Sequence, residues 1–317
     1  MTQTFLVTGA AGFIGSHSVE WLLAHNHQVV GVDNLRTGHL KNLEVARSSS
    51  QFEWVFADVG DETVMRTLFE QHHFAGVLHL AALVSVPESF RDPGLNSRLN
   101  LAAADCIARL CLEFKCKRLV FASSAAVYGT HAALPNQESA IPQPQSPYAA
   151  AKLAAEVMLL GYAVSYGLEA VCLRYFNVYG PRQDPSSPYS GVLSIFTNRF
   201  QSGLPVTVYG DGEQTRDFIS VRDVARANGE ALSQPYIMAD CYNVCTGYGI
   251  SLNQVLEIYR ELFPNAPAVE YAAARIGDIR HSRGSLDKLR NRLGFSAQMP
   301  FEQGLRELAL GGSSEKI

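Results

Sequence analysis

A glycine triplet near the start of the chain constrains its fold more than any other feature. Phe5-Leu6-Val7-Thr8 reads as a short buried strand, Gly9-Ala10-Ala11-Gly12-Phe13-Ile14-Gly15 follows, and Val19, Leu22 and Leu23 then recur with helical spacing. Strand, glycine-rich turn and helix, in that order, are the setting in which a dinucleotide pyrophosphate binds. Gly9 allows the tight turn, Gly12 lets backbone approach the pyrophosphate, and Gly15 lets helix and strand pack closely. The helix N-terminus adds free N–H groups and a partial positive charge. The spacing here is G-x-x-G-x-x-G rather than G-x-G-x-x-G.

The next strand, Gln28 to Val32, runs into Asp33-Asn34. This acid lies roughly 20 residues past the glycines, where a carboxylate bonds the adenosine ribose hydroxyls. It would repel a 2′-phosphate, so NAD is expected over NADP, although Arg36 is nearby. Asp58-Val59 follows the strand Phe52 to Ala57 and is either an adenine contact or a solvated turn or cap acid. Three further short apolar runs, Gly76 to Leu80, Arg118 to Ala122 and Ala170 to Arg174, alternate with helical stretches. That pattern predicts an α/β fold, a doubly wound parallel sheet covered on both faces. Beyond Tyr175 prolines, glycines and aromatics become denser, which predicts a smaller C-terminal α/β substrate domain. The expected division is residues 1–180, with 218–246 returning to them, against 181–217 and 247–317.

Composition excludes several classes. The apolar content of 47% supports a substantial core, and a net charge of −4 with no basic run argues against nucleic acid or an anionic membrane surface. No apolar stretch approaches about 18 residues, so no membrane span is expected. The first residues lack a signal-peptide pattern. Cys106, Cys111, Cys116, Cys172, Cys241 and Cys245 form no Cys-x-x-Cys pair and no metal-ligand spacing with His. They read as reduced thiols of a cytoplasmic protein without a metal site. His79, His281, Trp21 and Trp54 read as structural residues.

Ligands in open parallel sheets bind beyond the carboxyl ends of the strands. Here those ends carry Leu80-Ala81-Ala82 and nearby Ser85, then Ser123-Ser124, and Tyr175-Phe176-Asn177. Tyr148 and Lys152, spaced i and i+4, share one helix face. An ammonium beside a phenol favours the phenolate, so Tyr148 is a candidate base and Ser124 its companion.

Together these motifs resemble the extended short-chain dehydrogenase/reductases, and within them the nucleotide-sugar 4-epimerases. The resemblance runs from Thr4 to about Gly294 through Gly9 to Gly15, Val32 to Leu35, His79 to Ala82, Ser123 to Gly129, Tyr148/Lys152, Arg174 to Gly180, Gly210 to Phe218 and Arg275 to Asp278. It implies that Ser124 and Tyr148 contact the sugar 4-hydroxyl and that Lys152 binds the nicotinamide ribose. It implies NAD contacts from Gly9, Gly12, Phe13, Ile14, Gly15, Asp33, Asn34, Asp58, Val59, Leu80, Ala81, Ala82, Asn100, Ser123, Tyr148, Lys152 and Tyr175. For the UDP-sugar it implies Ser85, Ser124, Tyr148, Asn177, Val192, Tyr209, Arg216, Arg275, Asp278 and Ser282. The arginines suit a diphosphate because planar guanidinium forks bond phosphate oxygens in pairs. A tightly held NAD, a 4-keto sugar intermediate and a homodimer formed through helices near Ala102–Phe114 and after Tyr148 are also implied.

Three departures and alternatives matter. The 4,6-dehydratases resemble Thr-Asp-Glu where this chain has Ser124-Ala125-Ala126, which counts against dehydration. A uronic-acid epimerase or decarboxylase would need a cation at the sugar carboxylate, and Arg182 is the candidate. A non-catalytic NAD-binding regulator would ordinarily lack the Tyr148/Lys152 pair. Ser282 stands where epimerases restricted to unacetylated hexoses carry a bulky residue, so the resemblance favours UDP-GlcNAc and UDP-GalNAc over UDP-glucose and UDP-galactose.

Overall fold

The computed structural model describes residues 2–130, 133–184, 191–274 and 279–311. A seven-stranded, wholly parallel sheet organises the larger lobe: β1 (Thr4–Thr8), β2 (Gln28–Asp33), β3 (Phe52–Phe56), β4 (Gly76–His79), β5 (Arg118–Ser124), β6 (Glu169–Tyr175) and the strand Asp240–Val244. Across the sheet the order is β3-β2-β1-β4-β5-β6 and then Asp240–Val244. The chain therefore starts near the middle, winds to one edge, returns across β1 and winds to the other. This is the Rossmann-type, doubly wound arrangement, and its winding reverses between β1 and β4.

Strand alternation divides the core in two. Phe5, Val7, Val171 and Leu173 face the helices Phe13–Ala24 and Val221–Ser233. Leu6, Ala170 and Cys172 face the layer of Ala103–Glu113 and Pro147–Tyr166. Central strands apolar on both faces cannot show period-two patterning, hence their continuous apolar runs. A third cluster, including Phe196, Phe200, Val255 and Tyr259, builds the C-terminal lobe; Phe200 and Tyr259 stack at 4.7 Å.

Asp217, fully buried, stitches that lobe to the sheet. Its carboxylate accepts from Thr246 N (2.8 Å) and Oγ1 (2.6 Å), Gly247 N (2.9 Å) and Gly284 N (3.2 Å). The strand Asn177–Tyr179 pairs in parallel with Phe218–Ser220, and the chain then passes through Val221–Ser233 into the edge strand Asp240–Val244. β4 stops one residue before the predicted Leu80, because the N–H groups of Leu80 and Ala81 both turn to the Thr8 hydroxyl at 3.2 Å. All six cysteines are buried and unpaired. Among the described residues there is no metal-binding cluster and no helix long and apolar enough to cross a membrane.

Trp21 packs as expected, and the contact is unusually demanding. A Cβ on Gly229 of the helix Val221–Ser233 would sit 1.9 Å from the Trp21 ring. Alanine gains up to ~1 kcal/mol of helix propensity there. Overpacking against a rigid indole costs about 1–3 kcal/mol. Gly229→Ala is thus expected to lower Tm by several degrees, and combination with Trp21→Phe to recover part of the loss in calorimetry.

Candidate active site

The reversal between β1 and β4 opens a crevice of about 540 Å³. Gly9 has φ +70°, and a Cβ there would lie 2.8 Å from Ala81 N; one on Gly15 would lie 2.0 Å from Gly9 O. Gly12 begins the helix Phe13–Ala24 in extended geometry with no side chain capping it, so the first helical N–H groups remain available to an anion. Asp33, at the end of β2, accepts from Ala11 N (3.0 Å) and Leu35 N (2.8 Å). Burial pushes its pKa up and these backbone donors oppose the rise. Each oxygen keeps a lone pair for a ribose hydroxyl. A bare helix N-terminus facing a glycine cradle, followed by a carboxylate at the next strand end, fits NAD.

Every residue expected at the cofactor lines this crevice except Asn100. Asn100 is buried, and its amide is spent on Leu83 N (3.1 Å), Leu83 O (3.0 Å) and Asn96 Oδ1 (2.7 Å). It shapes the wall behind Ala81-Ala82 instead of presenting a polar group. Asn96 in turn donates to Pro147 O (2.9 Å), bracing the start of the Tyr148 helix. Ser123 borders the crevice, but its hydroxyl donates inward to Glu156 at 2.5 Å. Asp58 lines the crevice and, as a turn acid, accepts from Asn34 Nδ2 (2.9 Å) and Gly60 N (2.8 Å). Arg36 is engaged by Glu88 at 2.6 Å.

Ser124, Tyr148 and Lys152 converge on the crevice from β5 and the helix Pro147–Tyr166. That helix starts sharply because Ser146 caps Ala149 N (3.1 Å) and Pro147 occupies its first turn. Tyr148 N is held by Ser89 Oγ at 3.1 Å. Burial raises the Tyr148 pKa, and the hydrogen bond with Ser124 lowers it. Lys152 was expected to act on this phenol directly. Instead its ammonium donates to Ala122 O (2.8 Å) and lies 4.7 Å above the Phe121 ring. Burial pushes its own pKa down to about 7, with Glu156 opposing. The group that lowers the Tyr148 pKa by direct contact is thus Ser124.

Further walls were invisible in the sequence. Tyr175 OH donates to Asn228 Oδ1 (2.6 Å), and Asn228 Nδ2 donates to Ser18 Oγ (3.0 Å). His79 is a buried structural histidine, as its sequence reading expected. The Thr8 hydroxyl accepts from two backbone N–H groups, so its proton goes to His79 Nδ1 (2.8 Å). Nε2 then carries the hydrogen and is buried without a partner. His281 bonds Thr215 Oγ1 at 3.0 Å.

Ser85 does not line the crevice; it is buried and caps the helix Val86–Arg91 by accepting from Glu88 N (2.9 Å). Arg182, at φ +71°, borders the crevice and pairs through Nη2 with Glu20 of the first helix at 2.6 Å, while its Nη1 is buried without a hydrogen-bond partner. A second cavity of about 370 Å³ adjoins through Asn177, which lines both. Val192, Tyr209 and Arg216 line it, together with Phe196, Arg199, Gln214 and Leu252, which sequence reasoning missed. The spacing Val192, Phe196, Arg199 (i, i+4, i+7) on one helix face is the signal that was there to read. Ser282 lines neither cavity; it pairs in register with Arg216 on a short sheet. Arg275 and Asp278 lie outside the described residues.

Comparison with known proteins agrees with this geometry. Residues 5–245 match the NAD dependent epimerase/dehydratase family. A UDP-glucose 4-epimerase of Mycolicibacterium smegmatis is 37% identical over 301 residues, 95% of each chain. The structure of Thermus thermophilus UDP-glucose 4-epimerase with NAD is 39% identical (TM-score 0.87, covering 98% of both chains). That of a UDP-N-acetylglucosamine 4-epimerase from Methanobrevibacter ruminantium, in complex with UDP-N-acetylmuramic acid, is 36% identical (TM-score 0.90, covering 98% of this chain and 97% of that one). The chain belongs to the NAD-dependent epimerase/dehydratase family of extended short-chain dehydrogenase/reductases.

Proposed function

We propose that the protein is an NAD-dependent UDP-sugar 4-epimerase and that it interconverts UDP-GlcNAc and UDP-GalNAc. The observation that carries the chemistry is the convergence of Ser124, Tyr148 and Lys152 on the wall of one dinucleotide crevice. When bound, NAD supplies the acceptor and donor of hydride at sugar C4. Tyr148 takes the proton of the 4-hydroxyl. Ser124, already bonded to the phenol, bridges to the same oxygen and relays the proton. Buried at the crevice wall, Lys152 contributes positive charge that favours the phenolate.

Inversion at C4 requires the 4-keto sugar to turn over while the rest of the molecule is held. The division into two cavities supports that requirement. The second carries Arg199 and Arg216 and suits the nucleotide diphosphate; Asn177 stands between it and the crevice. We take residues 1–180 with 218–246 as the cofactor half and the remainder as the sugar-nucleotide half.

The N-acetylated reading rests on the family resemblance, in which a small residue at the position of Ser282 leaves room for an acetamido group; Ser282 pairs in register with Arg216, which lines the second cavity. The named substrate of the M. smegmatis and T. thermophilus relatives favours a second reading, UDP-glucose and UDP-galactose. We also propose a homodimer, supported by the exposed Val157, Val164 and Tyr166 on the helix Pro147–Tyr166.

Tyr148→Phe is expected to cut epimerisation by about 10²–10⁴-fold, as loss of a positioned acid–base group does, while the protein stays folded and binds NAD. A chromatographic assay should find UDP-GalNAc from UDP-GlcNAc faster than UDP-galactose from UDP-glucose; the reverse ranking would establish the second reading. Ser282→Tyr should lower turnover of the N-acetylated sugar by about 10-fold or more while sparing the plain hexose, since steric exclusion of a small group has that scale.

A further inference from the structure

Beneath the end of β5, a buried arginine grips a buried carboxylate one helical turn from the buried Lys152. Lys152 and Arg174 are 3% and 4% exposed, and Glu156 is 1% exposed. Glu156 lies one helical turn beyond Lys152, so both project from the same face onto the sheet. Arg174 grips Glu156 with both edges of its fork, Nε to Oε1 at 2.9 Å and Nη2 to Oε2 at 2.7 Å. Its third nitrogen, Nη1, donates to Tyr128 OH (3.0 Å), and that hydroxyl donates to Asn243 Oδ1 (2.6 Å). Ser123 completes the carboxylate's shell.

A buried ion pair is weak evidence for stability, because desolvation offsets much of its attraction. Its placement suggests another use. Ser123 directly precedes Ser124; Arg174 directly precedes Tyr175; Tyr128 ends the turn that follows Ser124. The elements carrying the candidate acid–base groups and the cofactor wall therefore meet at one side chain. We infer that Glu156 is a positioning residue for the reaction: its carboxylate keeps the Lys152 ammonium charged in a desolvated site and holds the Lys152 helix in line with Ser124 and Tyr175. The inference rests on reading Lys152 as the cation that assists Tyr148.

The other titratable groups facing Lys152 cannot substitute. His79 on β4 is neutral, its pKa pushed down to about 3 by burial and by Lys152. The thiol of Cys172 on β6 is pushed well above its usual range by a hydrogen bond with the Cys241 thiol and by burial, so it carries no charge near neutrality. Tyr148, on the same helix, is also pushed up. Among the described residues, Glu156 is the carboxylate that raises the Lys152 pKa against its burial. For a lysine, a fall in pKa means that the ammonium is lost at a lower pH. Removing the charge of Glu156 must therefore move the loss of the Lys152 proton, and of any activity that needs it, toward acid.

The chain has only six lysines, so lysine-selective ¹⁵N NMR of the protein with its NAD can follow Lys152 directly, assigned through Lys152→Arg. In Glu156→Gln the Lys152 midpoint should fall by about one pH unit or more, the scale of a lost opposite charge nearby, while Glu156→Asp should hold it within about half a unit. The alkaline limb of kcat should move with it for whichever UDP-sugar is turned over. A folded Glu156→Gln whose Lys152 titrates as in the wild type overturns the inference and leaves Glu156 a packing residue. Should Glu156→Gln not fold, Arg174→Met is compared with Glu156→Gln/Arg174→Met, which differ only in the charge of residue 156; a lower Lys152 midpoint in the double variant supports the inference, and equal midpoints overturn it. A shifted midpoint in a protein that turns over no UDP-sugar sustains the role of Glu156 and rejects the epimerase reading.

Discussion

At Gly9 the ends of β1 and β4 approach so closely that a single Cβ would meet the backbone nitrogen of Ala81, and the crevice depends on this contact. Winding reverses at this point, so the loops after the two strands diverge to opposite sides and leave a gap at the carboxyl end of the sheet. The helix Phe13–Ala24 then points its uncapped N-terminus into the gap. Gly15 must also lack a side chain, because helix and turn touch there. Close packing, rather than any one hydrogen bond, makes the cofactor site.

Desolvation governs the chemistry that the gap can support. Burial moves Lys152, Tyr148 and His79 in the direction that disfavours charge. Opposing contacts act selectively: Ser124 on the phenol, Glu156 on the ammonium, and none on His79, which stays neutral. Selective compensation separates a poised acid–base pair from an inert histidine only a few residues away in space.

Much of this was legible from local pattern. The strands β1 to β6 are short apolar runs that the sequence shows at the same places. The crevice residues were legible for the same reason, since they lie at strand ends, where sequence position and spatial position coincide in a parallel sheet. Asn100 and Ser85 misled because an amide or hydroxyl at the correct place in sequence carries no sign of which way it donates. Arg199 escaped notice because a lone cation on an amphipathic helix resembles a solvated face until the opposing strand is known.

The central strand segments, the glycine turn, the acid after β2 and the i, i+4 pair Tyr148/Lys152 were determined by the sequence alone, because each depends on backbone geometry or on spacing within one element. Tertiary structure alone decided what each polar group does. Residues distant in the chain, such as Ser123, Glu156, Arg174 and Asn243, meet in one buried network. Whether Lys152 faces Tyr148 or Ala122 depends on which acceptors the packed sheet leaves within reach. Hydrogen bonds and charge interactions act over a few ångströms in space, and only the folded chain sets those distances.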